Sequence, residues 1–283
     1  HKNKNLTIFL GDIKDPKSYS DFIEKNDVVI NLAALIAIPY SYRASQSYID
    51  TNICGLNNLL EICRKKKPKQ IIHISSSEVY GSAQYVPINE NHPINPQSPY
   101  AATKASADNL ALSYFFSFEL PISIIRPFNT FGPRQSMRAI IPSIICQYLV
   151  DGDINLGHIH TTRSFNYIDD TIRGIFSAVG NKKAIGKIIN IGNDYEILIS
   201  DIVKLTSNIF NKKKRIKFQK DRLRPKKSEV QNLSCDYSLA REILNWSPNI
   251  VDQRSFSIFL TKTANWYKKK ENFDKIYSTK FVY

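Results

Sequence analysis

The amino-acid sequence predicts an α/β protein built around a doubly wound parallel sheet. Strand-like apolar runs alternate with stretches of helical length along the 283 residues, an order typical of parallel sheets with helices on both faces. The runs at 28–30 and 71–74 are mostly apolar without alternation, as in strands that are buried on both sides. Small or polar residues follow several of these runs, at the strand ends where sheets of this kind bind ligands.

Each element follows from its local pattern. Short apolar runs bounded by polar or turn residues predict strands at 6–10, 27–32, 71–74, 122–125, 154–156 and 188–192. Longer stretches with one apolar face predict helices at 18–25, 45–65, 99–112, 139–151, 200–211, 238–244 and 254–268. The helix at 99–112 is the clearest of these, because small and apolar residues recur on one face without an internal breaker.

Composition limits the classes of function. The 42% hydrophobic content is ordinary for a globular protein, and the longest apolar run, 28–38, is too short to span a bilayer. The four cysteines show no C-x-x-C pair and no metal-ligand spacing, so we expect no metal site, a reducing compartment and a cytoplasmic location. The net charge of +14 lacks the aromatic–basic interleaving of nucleic-acid surfaces, so we expect neither a nucleic-acid nor a membrane partner.

The most informative stretch runs from residue 74 to residue 104. It reads I-S-S-S-E-V-Y-G at a predicted strand end and then S-P-Y-A-A-T-K at a predicted helix start. Tyr100 and Lys104 are one helical turn apart, and a lysine ammonium beside a tyrosine favours the phenolate. Ser76 offers a hydroxyl partner and Glu78 a second base. Y-x-x-x-K alone also occurs as a surface pair, but the preceding S-S-S-E-V-Y-G favours a catalytic interpretation.

These motifs resemble the catalytic core of the extended short-chain dehydrogenase/reductase family, specifically its NAD-dependent nucleotide-sugar epimerases and dehydratases. The resemblance implies a Rossmann-like sheet with a smaller α/β substrate domain. It assigns residues 1–127 and 164–194 to the NAD-binding domain, and 128–163 and 195–283 to the nucleotide-sugar-binding domain. It also implies that Ser76, Glu78, Tyr100 and Lys104 are catalytic.

The resemblance extends to the cofactor. G-D-I and N-L-A-A follow predicted strands, in the places where family members recognise the adenine of NAD and let the dinucleotide approach the backbone. The implied NAD-binding residues are Asp12, Ile13, Leu32, Ala33, Ala34, Thr51, Pro127, Tyr100 and Lys104. The sequence contains no G-x-x-G-x-x-G cluster. We therefore expect the chain to be a fragment that lacks the first β-α-β element and has a reduced affinity for NAD.

Three further segments imply contacts with the substrate. R-P-F-N-T-F-G-P-R resembles the family segment whose asparagine, here Asn129, contacts the sugar nucleotide. T-R-S-F-N-Y-I-D-D and R-L-R-P-K-K-S-E-V resemble phosphate-binding segments, with Arg163 and Arg224 as the implied ligands. Ser77 is the fourth implied substrate-binding residue.

The combined pattern predicts a nucleotide-sugar 4,6-dehydratase. Family 4-epimerases usually carry a small residue at the position of Glu78, whereas dehydratases place a glutamate there to remove the C5 proton. The residues of these motifs most resemble those of bacterial N-acetylglucosamine-nucleotide 4,6-dehydratases of the legionaminic-acid type. A 4-epimerase and a UDP-glucuronate decarboxylase remain alternatives, as does an inactive or non-catalytic NAD- or RNA-binding relative. The resemblance also implies a homodimer formed through the helix that carries Tyr100.

Overall fold

The computed structural model describes residues 4–219, 225–228, 230 and 233–277. The strands are β1 (Val28–Asn31), β2 (Gln70–Ile74), β3 (Ile122–Pro127), β4 (Thr130–Phe131), β5 (Ile154–Leu156), β6 (Thr162–Ser164), β7 (Asn166–Tyr167), β8 (Ile188–Ile191), β9 (Glu196–Leu198) and β10 (Ile216–Phe218). The α-helices are α1 (Ile38–Ser41), α2 (Ser45–Tyr48), α3 (Gly55–Lys66), α4 (Pro99–Phe118), α5 (Ile140–Leu149), α6 (Ile168–Ser177), α7 (Ile199–Phe210), α8 (Ser238–Leu244), α9 (Gln253–Lys268) and α10 (Lys270–Tyr277).

The main sheet has four parallel strands in the order β1-β2-β3-β8. Successive residues of each strand point to opposite faces, so Ile71 and Ile124 pack with α3 and α4 on one side. Ile72 and Ile125 pack with α6 and α8 on the other side. The predicted α/β class with a doubly wound parallel sheet is therefore confirmed.

A second apolar cluster lies apart from the main sheet. It is formed by α5, α7 and α9 together with β5 and a group of aromatic rings around Phe131 and Phe256. Three two-stranded sheets accompany it, with β10 beside β5, β4 beside β7, and β6 beside β9. α8 belongs to the later part of the chain, but Leu244 packs on the main sheet, as does Trp246, which follows α8.

Two elements near the start of the described chain differ from the predictions. The strand predicted at 6–10 is wrong, because this segment pairs with no strand of the described residues and leaves Ile8 82% exposed and Leu10 fully exposed. The helix predicted at 18–25 is also wrong. Two short 3₁₀ turns, Pro16–Ser18 and Ser20–Phe22, are interrupted at Tyr19, whose φ of −144° is incompatible with a continuous helix.

Other differences concern length and short elements. The helix predicted at 45–65 is α2 and α3 joined by a π-helical turn at Ile49–Cys54. α4 continues six residues beyond its predicted end at residue 112 and stops at Phe118, before Glu119 adopts a left-handed conformation with φ 55°. α1, α6, α10 and the short strands other than β5 were not predicted. None of the helices in the part of the chain that the structure describes combines the length and the hydrophobicity that a bilayer span requires.

Ile124 tests the position of the core. Its side chain has no exposed surface at the centre of β3, so we expect Ile124→Ala to lower the free energy of unfolding by about 2–5 kcal/mol. The matched variant Ile258→Ala removes the same atoms from α9, where the side chain is 50% exposed, and we expect a change within about 0.5 kcal/mol. Urea unfolding followed by circular dichroism measures the free energy of unfolding of both variants. Equal decreases in the two variants would contradict the placement of Ile124 in the core.

Candidate active site

The candidate site lies where three parallel strands end. β1 ends at Asn31 and leads into 32–34, β2 leads into 75–78, and β3 ends at Pro127 shortly before Asn129. Because the carboxyl ends of parallel strands share one edge of a sheet, these residues from distant parts of the sequence come together.

The start of α4 brings the predicted tyrosine and lysine to this edge. Ser98 caps the helix by accepting a hydrogen bond from the backbone N–H of Ala101 at 3.1 Å, and Pro99 occupies the first turn. Tyr100 is 7% exposed and Lys104 is 3% exposed, so both point into the protein rather than towards solvent. The Tyr100 ring meets the edge of the Tyr48 ring, with the ring centroids 6.3 Å apart. A surface pair is thereby excluded.

Lys104 is fixed by the end of β2. Its ammonium donates a hydrogen bond of 2.6 Å to the backbone carbonyl of Ile74. Burial disfavours the charged form and lowers the pKa of Lys104 to about 8, although the Asp108 carboxylate opposes this change. An appreciable fraction of the lysine is therefore neutral slightly above neutral pH.

Tyr100 behaves differently from the sequence-based expectation. Burial raises the pKa of its phenol above the ordinary value, and the negative charge of Glu78 raises it further, while a hydrogen bond with Ser76 lowers it. The prediction that the phenolate is favoured is therefore wrong. Its desolvation outweighs any effect of the lysine, whose ammonium is hydrogen-bonded to a backbone carbonyl.

The serine and the glutamate belong to one tight turn. Ser76 caps the 3₁₀ turn Ser77–Tyr80, and its Oγ accepts a hydrogen bond from the Glu78 N–H at 3.2 Å. The turn buries the side chains of Ser77 and Glu78 and ends at Gly81, whose φ is +64°. A Cβ atom at Gly81 would lie 2.0 Å from the backbone oxygen of Asn95, so this turn requires glycine. The four residues predicted to be catalytic are thus brought to one place.

The other predicted cofactor-binding residues lie at the ends of β1 and β3, on the π-helical turn before α3, and at 12–13, which no strand precedes in the described residues. Ile13 packs so closely on the start of α3 that a Cβ atom at Gly55 would lie 2.7 Å from it. Asp12, just before it, is exposed and accepts a hydrogen bond of 2.9 Å from the Lys14 N–H, which lowers the pKa of its carboxyl.

Leu32 is 66% exposed. Ala33 is exposed, and Ala34, Thr51 and Pro127 are partly exposed.

This set fits a nicotinamide dinucleotide in its chemistry. An accessible carboxylate can accept from the adenine amino group, and small alanines allow a flat ligand to approach the backbone of the β1 end. A buried phenol and ammonium lie at the neighbouring β2 end. The glycine-rich turn that holds a pyrophosphate at a helix N-terminus is not among the motifs of this sequence.

The predicted substrate-binding residues are partly engaged with the protein. The Asn129 side chain donates to the backbone carbonyl of Ser164 at 3.4 Å, and Arg163 on β6 donates to the carbonyl of Thr162 at 2.8 Å. Both side chains remain partly exposed, whereas Ser77 is buried. Arg224 lies outside the described residues.

Sequence reasoning missed a buried polar network beneath these residues. Arg126 donates through Nε to Asp108 Oδ2 at 2.9 Å and through Nη1 to the Tyr80 hydroxyl at 2.9 Å. The Tyr80 hydroxyl donates in turn to Asn190 Oδ1 at 2.8 Å. On the other side, His73 Nε2 lies 3.7 Å from Asp108 Oδ1. Two signals were available: Asp108 follows Lys104 by one helical turn, and Arg126 is a charged residue inside an apolar strand.

Comparison with known proteins agrees with this arrangement. A family model described as GDP-mannose 4,6 dehydratase matches residues 1–254. The dTDP-D-glucose 4,6-dehydratase of Dictyostelium discoideum is 36% identical over 222 residues, and the match covers 74% of this chain and 51% of that enzyme. The UDP-glucuronate 4-epimerase of Thermodesulfobacterium geofontis is 32% identical over 285 residues, covering 99% of this chain and 84% of that enzyme.

A solved structure shares both sequence and fold. The UDP-glucuronic acid 4-epimerase of Bacillus cereus, crystallised with UDP-glucuronic acid and NAD, is 33% identical with a TM-score of 0.82, and the match covers 90% of this chain and 80% of that chain. The chain thus spans about half the length of the Dictyostelium relative but most of the other two. The resemblance inferred from the motifs is confirmed: the chain belongs to the NAD-dependent epimerase/dehydratase family of short-chain dehydrogenases/reductases, whose matched members are nucleotide-sugar 4,6-dehydratases, 4-epimerases and decarboxylases.

Proposed function

We propose that this protein is a nucleotide-sugar 4,6-dehydratase of surface-sugar biosynthesis, acting on a nucleotide-linked N-acetylhexosamine. The observation that carries the proposal is the position of Glu78. Its carboxyl lies in the turn capped by Ser76 and is close enough to Tyr100 to raise the pKa of the phenol. A reaction that only oxidises and re-reduces C4 needs no second base, whereas removal of the C5 proton does.

Tyr100, Ser76 and Lys104 serve the oxidation at C4. Tyr100 accepts the proton of the C4 hydroxyl, and Ser76 donates a hydrogen bond to the same oxygen. Burial raises the pKa of Tyr100, so its basic form needs nearby positive charge. The Lys104 ammonium, one helical turn away on α4, is proposed to contribute this charge. NAD, when bound, supplies the hydride acceptor and donor together with a further positive charge. The residues proposed to hold it are Asp12, Ile13, Leu32, Ala33, Ala34, Thr51 and Pro127.

Glu78 serves the loss of water. The ketone at C4 acidifies the neighbouring C5 proton. Glu78 removes this proton, and its protonated carboxyl then donates a proton to the C6 hydroxyl, which leaves as water. A hydride from the bound cofactor at C6 and a proton from solvent at C5 would then give a 4-keto-6-deoxy sugar. General acid–base assistance of this kind contributes about 10²–10⁴-fold to a rate.

The diphosphate and sugar are proposed to contact Ser77, Asn129 and Arg163, with Arg224 as a further phosphate ligand. The net charge of +14 attracts an anionic substrate of this type. We propose that 1–127 and 164–194 form the cofactor-binding unit, and 128–163 and 195–283 the substrate-binding unit. The separate apolar cluster around α5, α7 and α9 supports this division, while Trp246 packs on the main sheet from the second unit.

A nucleotide-sugar 4-epimerase is the second candidate. It is favoured by the similarity to UDP-glucuronate 4-epimerases, one of which matches 99% of this chain. That reaction requires Tyr100, Ser76 and Lys104 in the same positions but gives Glu78 no chemical step. The decarboxylase alternative likewise begins with oxidation at C4.

We propose a cytoplasmic homodimer. α4 leaves Ala102 and Ser106 exposed along its outer face, and Phe116 near its end is 74% exposed, which suits contact with a second copy. The four cysteines are free thiols, and the proposed cytoplasmic location is a reducing compartment.

The products distinguish the candidate reactions. The purified protein is incubated with NAD and with UDP- or GDP-linked N-acetylhexosamines or UDP-glucuronate, and the products are weighed by mass spectrometry. We expect a product that is lighter by one water from an N-acetylhexosamine nucleotide. An isomer of unchanged mass would indicate epimerisation, loss of carbon dioxide would indicate decarboxylation, and either result would overturn the dehydratase proposal.

Glu78→Gln provides the sharper test. We expect dehydration to fall by about 10²–10⁴-fold, because the amide cannot remove the C5 proton. Incorporation of solvent deuterium at C5 should fall in parallel. The control variant Glu242→Gln replaces an exposed carboxyl on α8 and should change neither the dehydration rate nor the deuterium incorporation. Full dehydration by Glu78→Gln would remove Glu78 from the mechanism.

The pH profile tests Lys104. Burial lowers the pKa of Lys104 to about 8, so its ammonium is lost as the pH rises through that value. We expect kcat/KM to decline on the alkaline side near pH 8, since only the charged lysine stabilises the basic form of Tyr100. In Lys104→Arg the guanidinium stays charged. The alkaline decline should then move to higher pH even if the maximal rate falls, and an unmoved decline would assign it to another group.

A further inference from the structure

Asp108 is the buried acidic group on the same helical face as Lys104. It lies one turn further along α4, and both side chains are almost fully buried, with exposures of 1% for Asp108 and 3% for Lys104. Arg126 on β3 holds the carboxylate through an Nε hydrogen bond of 2.9 Å to Oδ2. The carboxylate is therefore fixed by a guanidinium on the sheet, and Lys104 lies on the same buried face of its own helix.

The other carboxylate oxygen faces the end of β2. Asp108 Oδ1 lies 3.7 Å from His73 Nε2, and neither atom has a hydrogen-bond partner among the described residues. Burial raises the pKa of the Asp108 carboxyl above its ordinary value, while Arg126, the Ser75 hydroxyl and Lys104 oppose this change and favour the carboxylate. The next residue on β2 after His73 is Ile74, whose carbonyl accepts from Lys104. The carboxylate and the ammonium thus meet adjacent residues of one strand.

We propose that Asp108, clamped by Arg126, is a positioning residue that keeps the Lys104 ammonium charged and held at the end of β2. This inference rests on the proposed function, since it supplies the positive charge on which the basic form of Tyr100 depends. Asp108 would touch neither the sugar nor NAD.

The surroundings of Lys104 offer few other sources of negative charge. His73 on β2 has a pKa well below its ordinary value because of burial and the nearby lysine, so it is neutral. Tyr100 on α4 is a protonated phenol, and Arg126 on β3 repels an ammonium. Glu78 lies in the turn after β2 beside Tyr100. Asp108 is the group that raises the pKa of Lys104 against its burial.

A purely structural role is the competing explanation. The Asp108–Arg126 pair ties α4 to β3, and its removal would destabilise the fold without any effect on Lys104. The titration of Lys104 separates the two roles, because a brace alone does not change the proton affinity of a neighbouring amine.

The test measures the pKa of Lys104 by NMR in protein labelled with ¹³C- and ¹⁵N-lysine, its signal assigned by loss in Lys104→Arg. We expect Asp108→Asn to lower this pKa by about one to three units, the usual effect of losing a nearby opposite charge. Asp108→Glu should restore most of the wild-type value. Asp151→Asn, which removes an exposed carboxyl beyond α5, should leave it unchanged. An unchanged pKa in folded Asp108→Asn would overturn the proposal.

A reciprocal measurement covers the case in which Asp108→Asn fails to fold. If the two groups are coupled, loss of the ammonium in Lys104→Met must raise the pKa of Asp108 by the same free energy. Carboxyl ¹³C NMR follows this titration, and an unmoved Asp108 would again overturn the proposal. Neither experiment needs NAD or a sugar nucleotide, so absence of turnover alone would count against the proposed function and not against this coupling.

Discussion

The hydrogen bond from the Lys104 ammonium to the Ile74 carbonyl joins the two halves of the site. It binds α4, which carries Tyr100, to the end of β2, which leads into the turn of Ser76 and Glu78. A buried charge is tolerated only when hydrogen bonds and opposite charge offset the loss of water. The fold must therefore hold the strand end, the helix and the Asp108 carboxylate in one fixed relation, and the position of every proposed catalytic residue follows from it.

The main sheet divides along its strands into an apolar part and a polar part. Ile71, Ile72 and Ile124 are fully buried among apolar neighbours, as expected for strands covered by helices on both faces. Towards the carboxyl ends, Arg126 and Asn190 face each other in the β3–β8 register and are bridged by the Tyr80 hydroxyl. Each of these polar groups needs a partner when buried. Apolar packing thus holds the helices on the sheet. The polar network fixes the positions of the side chains at the carboxyl ends of the strands, where the candidate site lies.

Local pattern was sufficient for much of this structure. The order of strands and helices, the sheet class and the meeting of Tyr100 with Glu78 follow from contiguous motifs and from the rule that parallel strands end together. The failures have physical causes. A lone apolar run at 6–10 has no strand beside it in the described residues. The network around Arg126 joins segments far apart in sequence, so only the register of the sheet defines its partners.

Proximity and burial act in opposite directions on the central pair. Helical spacing correctly places Tyr100 one turn from Lys104, which by itself favours phenolate and ammonium. Burial instead raises the pKa of the phenol and lowers that of the lysine, so it shifts both groups towards their neutral forms. On the proposed function, the positive charge of a bound cofactor would lower the pKa of the Tyr100 phenol and so oppose the effect of burial. Removal of the substrate proton would then be linked to occupancy of the site.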